Sequence, residues 1–455
     1  PGSATKCAWS TKTWKNSAQS DGTTMQQLVI DGGHSLNGEI EVGGNKNAVL
    51  KLMAACLLTD QPVTLSNVPE IADVQVMADI LRGLGAAVTW QGPRTLRIHA
   101  ENLTSHQVEA RLAQKMRASI VLAGPLLARL GAVEIAVPGG DMIGRRRLDT
   151  HVLALQALGA RIDYGGSFRM HADGLRGANI LLDEASVTAT ENAIMAAVTA
   201  KGTTIIRNAA SEPHVQDLCN LLVSLGAHID GIGSNRLTIE GVSKLSGGEF
   251  RVGADYLEVG SFIGAAVVTG GEVRIRNADP QHLDMIALVF RKMGITWQVE
   301  GQDLIVPRTQ SMTITPDLGN RIPVIKAQPW PAFPTDLMSV ALLVATQCAG
   351  AIMFHEWMYD GRLFFTDKLV TMGARIVLCD PHRALVQGPA ALRGNVTISS
   401  PDIRAGITLL LAALCARGVT VIRNVQHIDR GYERIEEKLR ALGARIERTP
   451  VTEGA

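Results

Sequence analysis

Four short segments of this sequence gather the residue types that acid–base and anion chemistry need. The first is Pro138-Gly139-Gly140-Asp141-Met142-Ile143-Gly144-Arg145-Arg146-Arg147. Its glycines free the backbone, and a carboxylate sits a few residues ahead of an arginine run. A lid that closes on an anion and delivers a proton donor has this composition. A flexible, solvent-exposed loop with a charge run has it too. The second, Phe333-Pro334-Thr335-Asp336, sets a carboxylate after a rigid proline at an expected helix start. Asp336 reads there first as an N-cap and second as a general base. The third, His427-Ile428-Asp429-Arg430-Gly431-Tyr432-Glu433-Arg434, is densely polar just after an expected strand. It suits a functional loop or a helix cap with ion pairs. The fourth, Gly43-Gly44-Asn45-Lys46-Asn47, joins a strand to a helix and could cradle a phosphate, although the P-loop spacing is absent.

The elements that must position these residues repeat along the chain. Leu84-Gly85-Ala86, Leu158-Gly159-Ala160, Leu225-Gly226-Ala227, Met293-Gly294-Ile295, Met372-Gly373-Ala374 and Leu442-Gly443-Ala444 are six copies of one phrase, recurring at intervals of about 70 residues. Each closes an amphipathic stretch, with Gly suited to the helix C-cap. A second phrase, seen at residues 63–67, 203–208 and 419–424 with copies near 132–137, 272–277 and 351–356, alternates apolar residues and reads as strands. Before each such strand lies a helix that is apolar nearly all round, as at residues 48–58, 120–130 and 407–415, and belongs inside a core. Each helix has a polar start: Lys46 and Asn47; Lys115 and Arg117; Thr190, Glu191 and Asn192; Asp255 and Glu258; Thr335 and Asp336; Asp402 and Arg404. The fold class is therefore α/β, with six units in two globular domains of three. If the buried helices run side by side, their N-termini face one surface and favour anions there. Lys46, Arg117 and Arg404 add full positive charge, so a substrate with phosphate or carboxylate is expected. The alternative is that these charges cap helices and pair with one another.

Composition narrows the class. With 44 Lys+Arg against 43 Asp+Glu, the formal charge is +1, which argues against a nucleic-acid binder built on a large positive field. Hydrophobic residues at 46% and charged residues at 19% fit a globular protein with a large core. The longest mostly apolar stretch, residues 339–354, is shorter than the ~20 residues a membrane span needs. Residues 1–24 hold no apolar signal segment and read as a disordered extension or tag. Cys7, Cys56, Cys219, Cys348, Cys379 and Cys415 form no CxxC pair and are expected as reduced, buried thiols in a cytoplasmic protein. No metal, cofactor, membrane or obligate protein partner is implied.

Six motifs together carry a family resemblance: Gly44-Asn45-Lys46-Asn47-Ala48, Met116-Arg117-Ala118-Ser119, Pro138-Gly139-Gly140, Pro331-Ala332-Phe333-Pro334-Thr335-Asp336, Asp402-Ile403-Arg404-Ala405 and residues 427–433. On them, from about Met25 to Arg448, the chain resembles the UDP-N-acetylglucosamine 1-carboxyvinyltransferases of the enolpyruvyl transferase family. The resemblance implies a two-domain inside-out α/β barrel of six βαβαββ-type repeats. Residues 25–45 plus 254–455 would form the first domain. Residues 46–253 would form the second, with a lid at about 136–147. It implies transfer of the enolpyruvyl group of phosphoenolpyruvate to the 3′-hydroxyl of UDP-N-acetylglucosamine, releasing phosphate, by addition and elimination. That is the first committed step of peptidoglycan synthesis.

By the same resemblance, Asp141 is the lid proton donor and Asp336 contacts the hydroxyl as its base. Lys46, Arg117, Arg146 and Arg430 bind phosphate. Arg362 and Arg404, with Asp402 nearby, serve the donor carboxylate, and Asn47 contacts the adduct. Arg146, Arg147, Leu148, Asp149 and Thr150, with Ser186, Val187 and Thr188, face the uridine diphosphate. Glu212 and Asp255 line the cleft. The chain departs from the family pattern at Asp141, where a lid cysteine is usual, implying resistance to fosfomycin. It departs also at Glu184, at Thr188 and at Asp360-Gly361-Arg362. A paralogue with another acceptor, such as shikimate 3-phosphate, and a non-catalytic UDP-sugar-binding regulator stand as alternatives.

Overall fold

Alternation shapes the strands. In Val63–Ser66 and Thr203–Arg207 every second side chain is buried, as a half-buried strand requires. In the computed structural model, which describes residues 25–141 and 143–451, both are inner strands of their sheets. So are Ala132–Ala136's relatives Glu272–Arg276, Gly350–His355 and Gly418–Arg423. The extension expected over residues 1–24 lies outside the described residues. Among the described residues there are five four-stranded sheets and one three-stranded sheet, each built around one copy of the repeat. Asn67, Asn208, Asn277 and Asn424 end four of these strands in the left-handed region, with φ from 52° to 59°, a conformation asparagine tolerates better than most residues.

The recurring glycines do what the first phrase predicts. Ala72–Gly83 buries Val74, Met77, Ala78, Ile80 and Leu81 on one face, and two residues after its end Gly85 turns left-handed at φ 103°. Gly159, Gly226, Gly294, Gly373 and Gly443 repeat that turn. A side chain there would strain the backbone, so glycine terminates each amphipathic helix.

Six apolar helices fill two cores. Lys46–Ala55, Ala123–Leu130 and Val187–Ala197 pack in one. Tyr256–Thr269, Met338–Gln347 and Ile403–Cys415 pack in the other. The second helix departs from expectation: residues Arg117–Leu122 form a 3₁₀ turn, and regular helix begins only at Ala123. Pro125 gives the reason, since proline is accommodated in a first turn but not deeper in a helix. Helices two and three approach closely. A Cβ at Gly124 would stand 2.6 Å from the Asn192 carbonyl oxygen. The Gly124 N–H donates to Asn192 Oδ1 at 2.8 Å.

A paired strand precedes each crossing of the chain between the lobes. Asn37–Glu41, just before the first buried helix, pairs parallel with Glu272–Arg276 in the lobe the chain is leaving. Gly248–Arg251, just before the fourth, pairs parallel with Val63–Ser66. The two crossing segments touch: Gly44 and Ala254 form a bridge, the Asn45 N–H donates to the Gly253 carbonyl at 2.8 Å, and the Asp255 N–H donates to Gly43 at 3.0 Å.

Cys56, Cys219 and Cys348 are buried, and burial pushes the Cys219 and Cys348 thiols up to about 12. Cys379 corrects the expectation of burial. It lies exposed on the edge strand Arg375–Asp380. Among the described residues, no helix is long and apolar enough to cross a membrane.

Candidate active site

The starts of all six buried helices meet in one cleft. Its lining takes Lys46 and Asn47 from the first, Arg117 and Ala118 from the turn leading into the second, and Val187 and Thr188 from the third. Tyr256, Thr335 with Asp336, and Ile403 with Arg404 come from the other three. Free N–H groups and partial positive charge therefore converge where full cations already stand.

Two ion-pair systems organise the lining. In one, Lys46 Nζ lies 2.9 Å from Asp73 Oδ2, and Arg430 Nε donates to Asp73 Oδ1 at 3.0 Å. Arg430 Nη1 donates to Asp141 Oδ1 at 2.6 Å. In the other, Asp336 is clamped between Arg362 Nη2 at 2.8 Å and Arg404 Nε at 3.0 Å. Arg404 Nη1 also reaches the Tyr432 hydroxyl at 3.3 Å. The chain around Asp141 also meets the opposite wall: the Gly361 N–H donates to the Ile143 carbonyl at 3.0 Å. Arg117 Nη2 donates to the Arg146 and Arg147 carbonyls, both at 2.8 Å.

Burial and charge compete at each group. Burial pulls the Lys46 ammonium below its ordinary value, Arg430 and Arg404 push the same way, and Asp73 opposes. Burial lowers Arg117 to about 10, aided by Arg146. Burial alone would raise the Asp336 carboxyl, but Arg404 and Arg362 outweigh it and hold it well below the usual carboxylate range. The same contest lowers Asp73, where Lys46 and Arg430 prevail over desolvation.

The cleft brings together Lys46, Asn47, Arg117, Asp141, Arg146, Val187, Thr188, Glu212, Asp336, Arg362, Arg404 and Arg430. The other expected site residues lie outside its lining. Asp255 and Asp402 cap helices: Asp255 Oδ1 accepts from Leu257 and Glu258, and Asp402 Oδ1 accepts from Arg404 and Ala405. Asp255 Oδ2 also accepts the Lys46 backbone N–H at 3.2 Å. Arg147 pairs with Asp183 at 2.9 Å and with Asp149 at 3.3 Å, while Thr150 donates to Asp183 at 2.7 Å. Leu148 and Ser186 sit at the entries to helices Asp149–Ala157 and Val187–Ala197. The N-cap reading of Asp336 is corrected. Its carboxylate accepts from Arg362 and Arg404, and the helix it precedes has no side-chain cap.

Asp73 was not among the expected residues, yet it bridges Lys46 and Arg430. Its signal was an acid four residues before Met77, on the buried face of Ala72–Gly83. Lys51, His214, Gln328, Trp330 and Tyr359 also line the cleft unannounced.

Comparison with known proteins follows the same lines. The family model described as EPSP synthase (3-phosphoshikimate 1-carboxyvinyltransferase) matches residues 30–439. The chain belongs to the enolpyruvyl transferase family. Within that family, it is 54% identical to a UDP-N-acetylglucosamine 1-carboxyvinyltransferase from Bradyrhizobium diazoefficiens over 93% of this chain and 98% of that protein. It is 51% identical to the protein of that name from Treponema denticola, over 93% and 99%. Among solved structures, the enolpyruvyl transferase NikO from Streptomyces tendae superposes with a TM-score of 0.83 at 25% identity, covering 94% of this chain and 100% of that one. EPSP synthase from Acinetobacter baumannii shares the fold at a TM-score of 0.72 and 17% identity, over 93% and 100%.

Proposed function

We propose that this protein transfers the enolpyruvyl group of phosphoenolpyruvate to the 3′-hydroxyl of UDP-N-acetylglucosamine with release of phosphate. The observation that carries the reading is the convergence of six helix starts on a cleft holding Lys46, Arg117, Arg430, Arg404 and Arg362 around the carboxylates of Asp73, Asp141 and Asp336. A donor bearing a phosphate and a carboxylate suits that arrangement. Relatives about half identical along nearly the whole chain carry the name of this activity.

Donor binding and chemistry are linked through the ion pairs. The donor phosphate competes with Asp73 and Asp141 for Lys46 and Arg430. The donor carboxylate competes with Asp336 for Arg404 and Arg362. Both candidate proton-transfer groups are thereby freed as the donor arrives. Asp336 then takes the acceptor hydroxyl proton while the oxygen attacks C2 of the donor. Asp141, on the lid, serves the proton transfer at C3. The adduct loses phosphate as C3 returns that proton to Asp141, and the proton taken by Asp336 leaves with the phosphate. Guanidinium and ammonium groups fixed before the reaction stabilise the phosphate and carboxylate throughout. Residues 25–45 with 254–455, and 46–253, act as the two closing bodies, with the lid at about 136–147. The reaction belongs in the cytoplasm, where its donor and nucleotide-sugar acceptor are made.

Phosphate release from phosphoenolpyruvate tests the assignment. Release with UDP-N-acetylglucosamine and none with shikimate 3-phosphate is expected. Release with shikimate 3-phosphate alone rejects the acceptor. Tight UDP-sugar binding with no release on either acceptor rejects the enzyme.

A further inference from the structure

One wall of the cleft carries buried polar atoms that the protein leaves unmatched. Among the described residues, Glu212 Oε2 and His214 Nδ1 are buried without a hydrogen-bond partner, and both residues line the cleft. His214 is only 4% exposed. Orphaned buried polar atoms are rare in folded proteins, and those facing a cleft point to a ligand. Lys51 shares this wall, also 4% exposed, and its charge acts on both Glu212 and His214. Behind it, Glu191 on Val187–Ala197 lies 3.4 Å from Lys51 Nζ.

Apolar surface borders these groups. His214 stacks on Tyr256 with ring centroids 6.5 Å apart and planes 3° from parallel. Tyr256 meets Trp330 at 5.6 Å. The wall thus offers one cationic donor, one carboxylate acceptor, one neutral imidazole and aromatic faces. Phosphate does not suit it, because Glu212 would repel the anion. A secondary amide bearing a methyl group does: it has one donor, one acceptor and one small apolar end.

We propose that Lys51, Glu212 and His214 form the subsite that reads the acetamido substituent of the acceptor sugar. Glu212 accepts the amide N–H, Lys51 donates to the amide carbonyl, and the methyl lies against the Tyr256 and Trp330 rings. His214 serves a neighbouring hydroxyl. Glu191 is a positioning residue that acts through Lys51. This inference rests on the reading of the acceptor as a nucleotide sugar.

The test compares kcat/KM for UDP-N-acetylglucosamine and for UDP-glucose, which carries a hydroxyl in place of the acetamido group. The unaltered protein is expected to favour the acetamido acceptor. Lys51→Met and Glu212→Ala are each expected to shrink that preference at least tenfold by raising KM for UDP-N-acetylglucosamine. KM for phosphoenolpyruvate and the Kd of uridine diphosphate, which lacks the sugar, should stay within twofold and report an intact fold. Lys51→Arg, which keeps a cationic donor, should recover part of the preference. A preference unchanged in both variants overturns the proposal, as does equal loss on both acceptors or failure of the arginine rescue. Turnover of neither nucleotide sugar by the unaltered protein, with shikimate 3-phosphate consumed instead, overturns the parent assignment and is read separately.

Discussion

Arg430 holds two carboxylates at once, Asp73 through Nε at 3.0 Å and Asp141 through Nη1 at 2.6 Å. An arginine with five donors can do this while keeping its planar geometry. The ion pair ties Asp141 to the opposite wall of the cleft, and it puts an oxygen acid where an alkylating epoxide would need a thiolate.

Fosfomycin should therefore leave the unaltered protein active, with no adduct on the lid by intact-mass measurement. Asp141→Cys should remain active and become sensitive in a time-dependent way. An adduct at Asp141 in the unaltered protein, or an active but insensitive cysteine variant, would show that this residue does not hold the lid position.

Asp336 lies between Arg362 and Arg404, which keep it ionised throughout the neutral range. As the proposed acceptor of the hydroxyl proton, its removal should slow chemistry more than binding. Asp336→Ala is expected to lower kcat by about 10²–10⁴-fold, the usual worth of a positioned acid or base. KM for phosphoenolpyruvate should change far less. Steady-state kinetics with both substrates varied will separate the two effects.

Arg94 reaches across the lobes to Glu433 at 2.7 Å, and Glu433 is 3% exposed. Arg94→Ala leaves that carboxylate with only the more distant Arg434 at 3.5 Å. The closed arrangement should lose population. Small-angle scattering should give a larger radius of gyration for the variant, and kcat/KM should fall several-fold. An unchanged radius with unchanged kinetics would remove Arg94 from any part in closure.

Glu191 supplies a pH signature. Burial raises its carboxyl from 4.5 to about 8, with Lys51 opposing. An acid whose folded value is raised contributes stability that is complete below its unfolded value and disappears as pH climbs through the folded one. The melting temperature of Glu191→Gln relative to the unaltered protein should thus rise from about pH 5 to pH 8 and level off above that. A difference flat across this window would refute the shift.

Arg448 steadies the segment that carries Arg430. It donates to Asp429 at 2.7 and 2.9 Å and to Glu436 at 2.6 and 3.0 Å. Arg448→Ala should cost about 1–3 kcal/mol in denaturant unfolding, the scale of lost charged hydrogen bonds.

Local physics made part of this legible in the sequence. The six glycines after the amphipathic helices are dictated by neighbouring residues, so their left-handed turns could be read directly. The apolar helices and their polar starts could be read for the same reason, and Lys46, Arg117, Asp336 and Arg404 with them. Asp73 could not be assigned, because its meaning lies in Arg430, 357 residues away. Asp336 looked like a cap because Pro and Asp before a helix have that local preference. Its actual partners, Arg362 and Arg404, arrive from 26 and 68 residues downstream. The pairing at the crossings is equally silent: nothing in Asn37–Glu41 or Gly248–Arg251 names its partner sheet.

Those crossings have a mechanical result. Residues 46–253 hold every strand of three sheets, whereas the other lobe needs Gln26–Gly32 and Asn37–Glu41 to complete two of its own, so cutting the chain before residue 46 would leave raw sheet edges there. The paired passage at Gly44 and Ala254 carries the chain in both directions, and it lies directly beside Lys46, whose amide is tied to Asp255. The cation at Lys46 is thus anchored at the crossing itself, whereas the Asp141 carboxylate is linked to it only through Arg430 and Asp73.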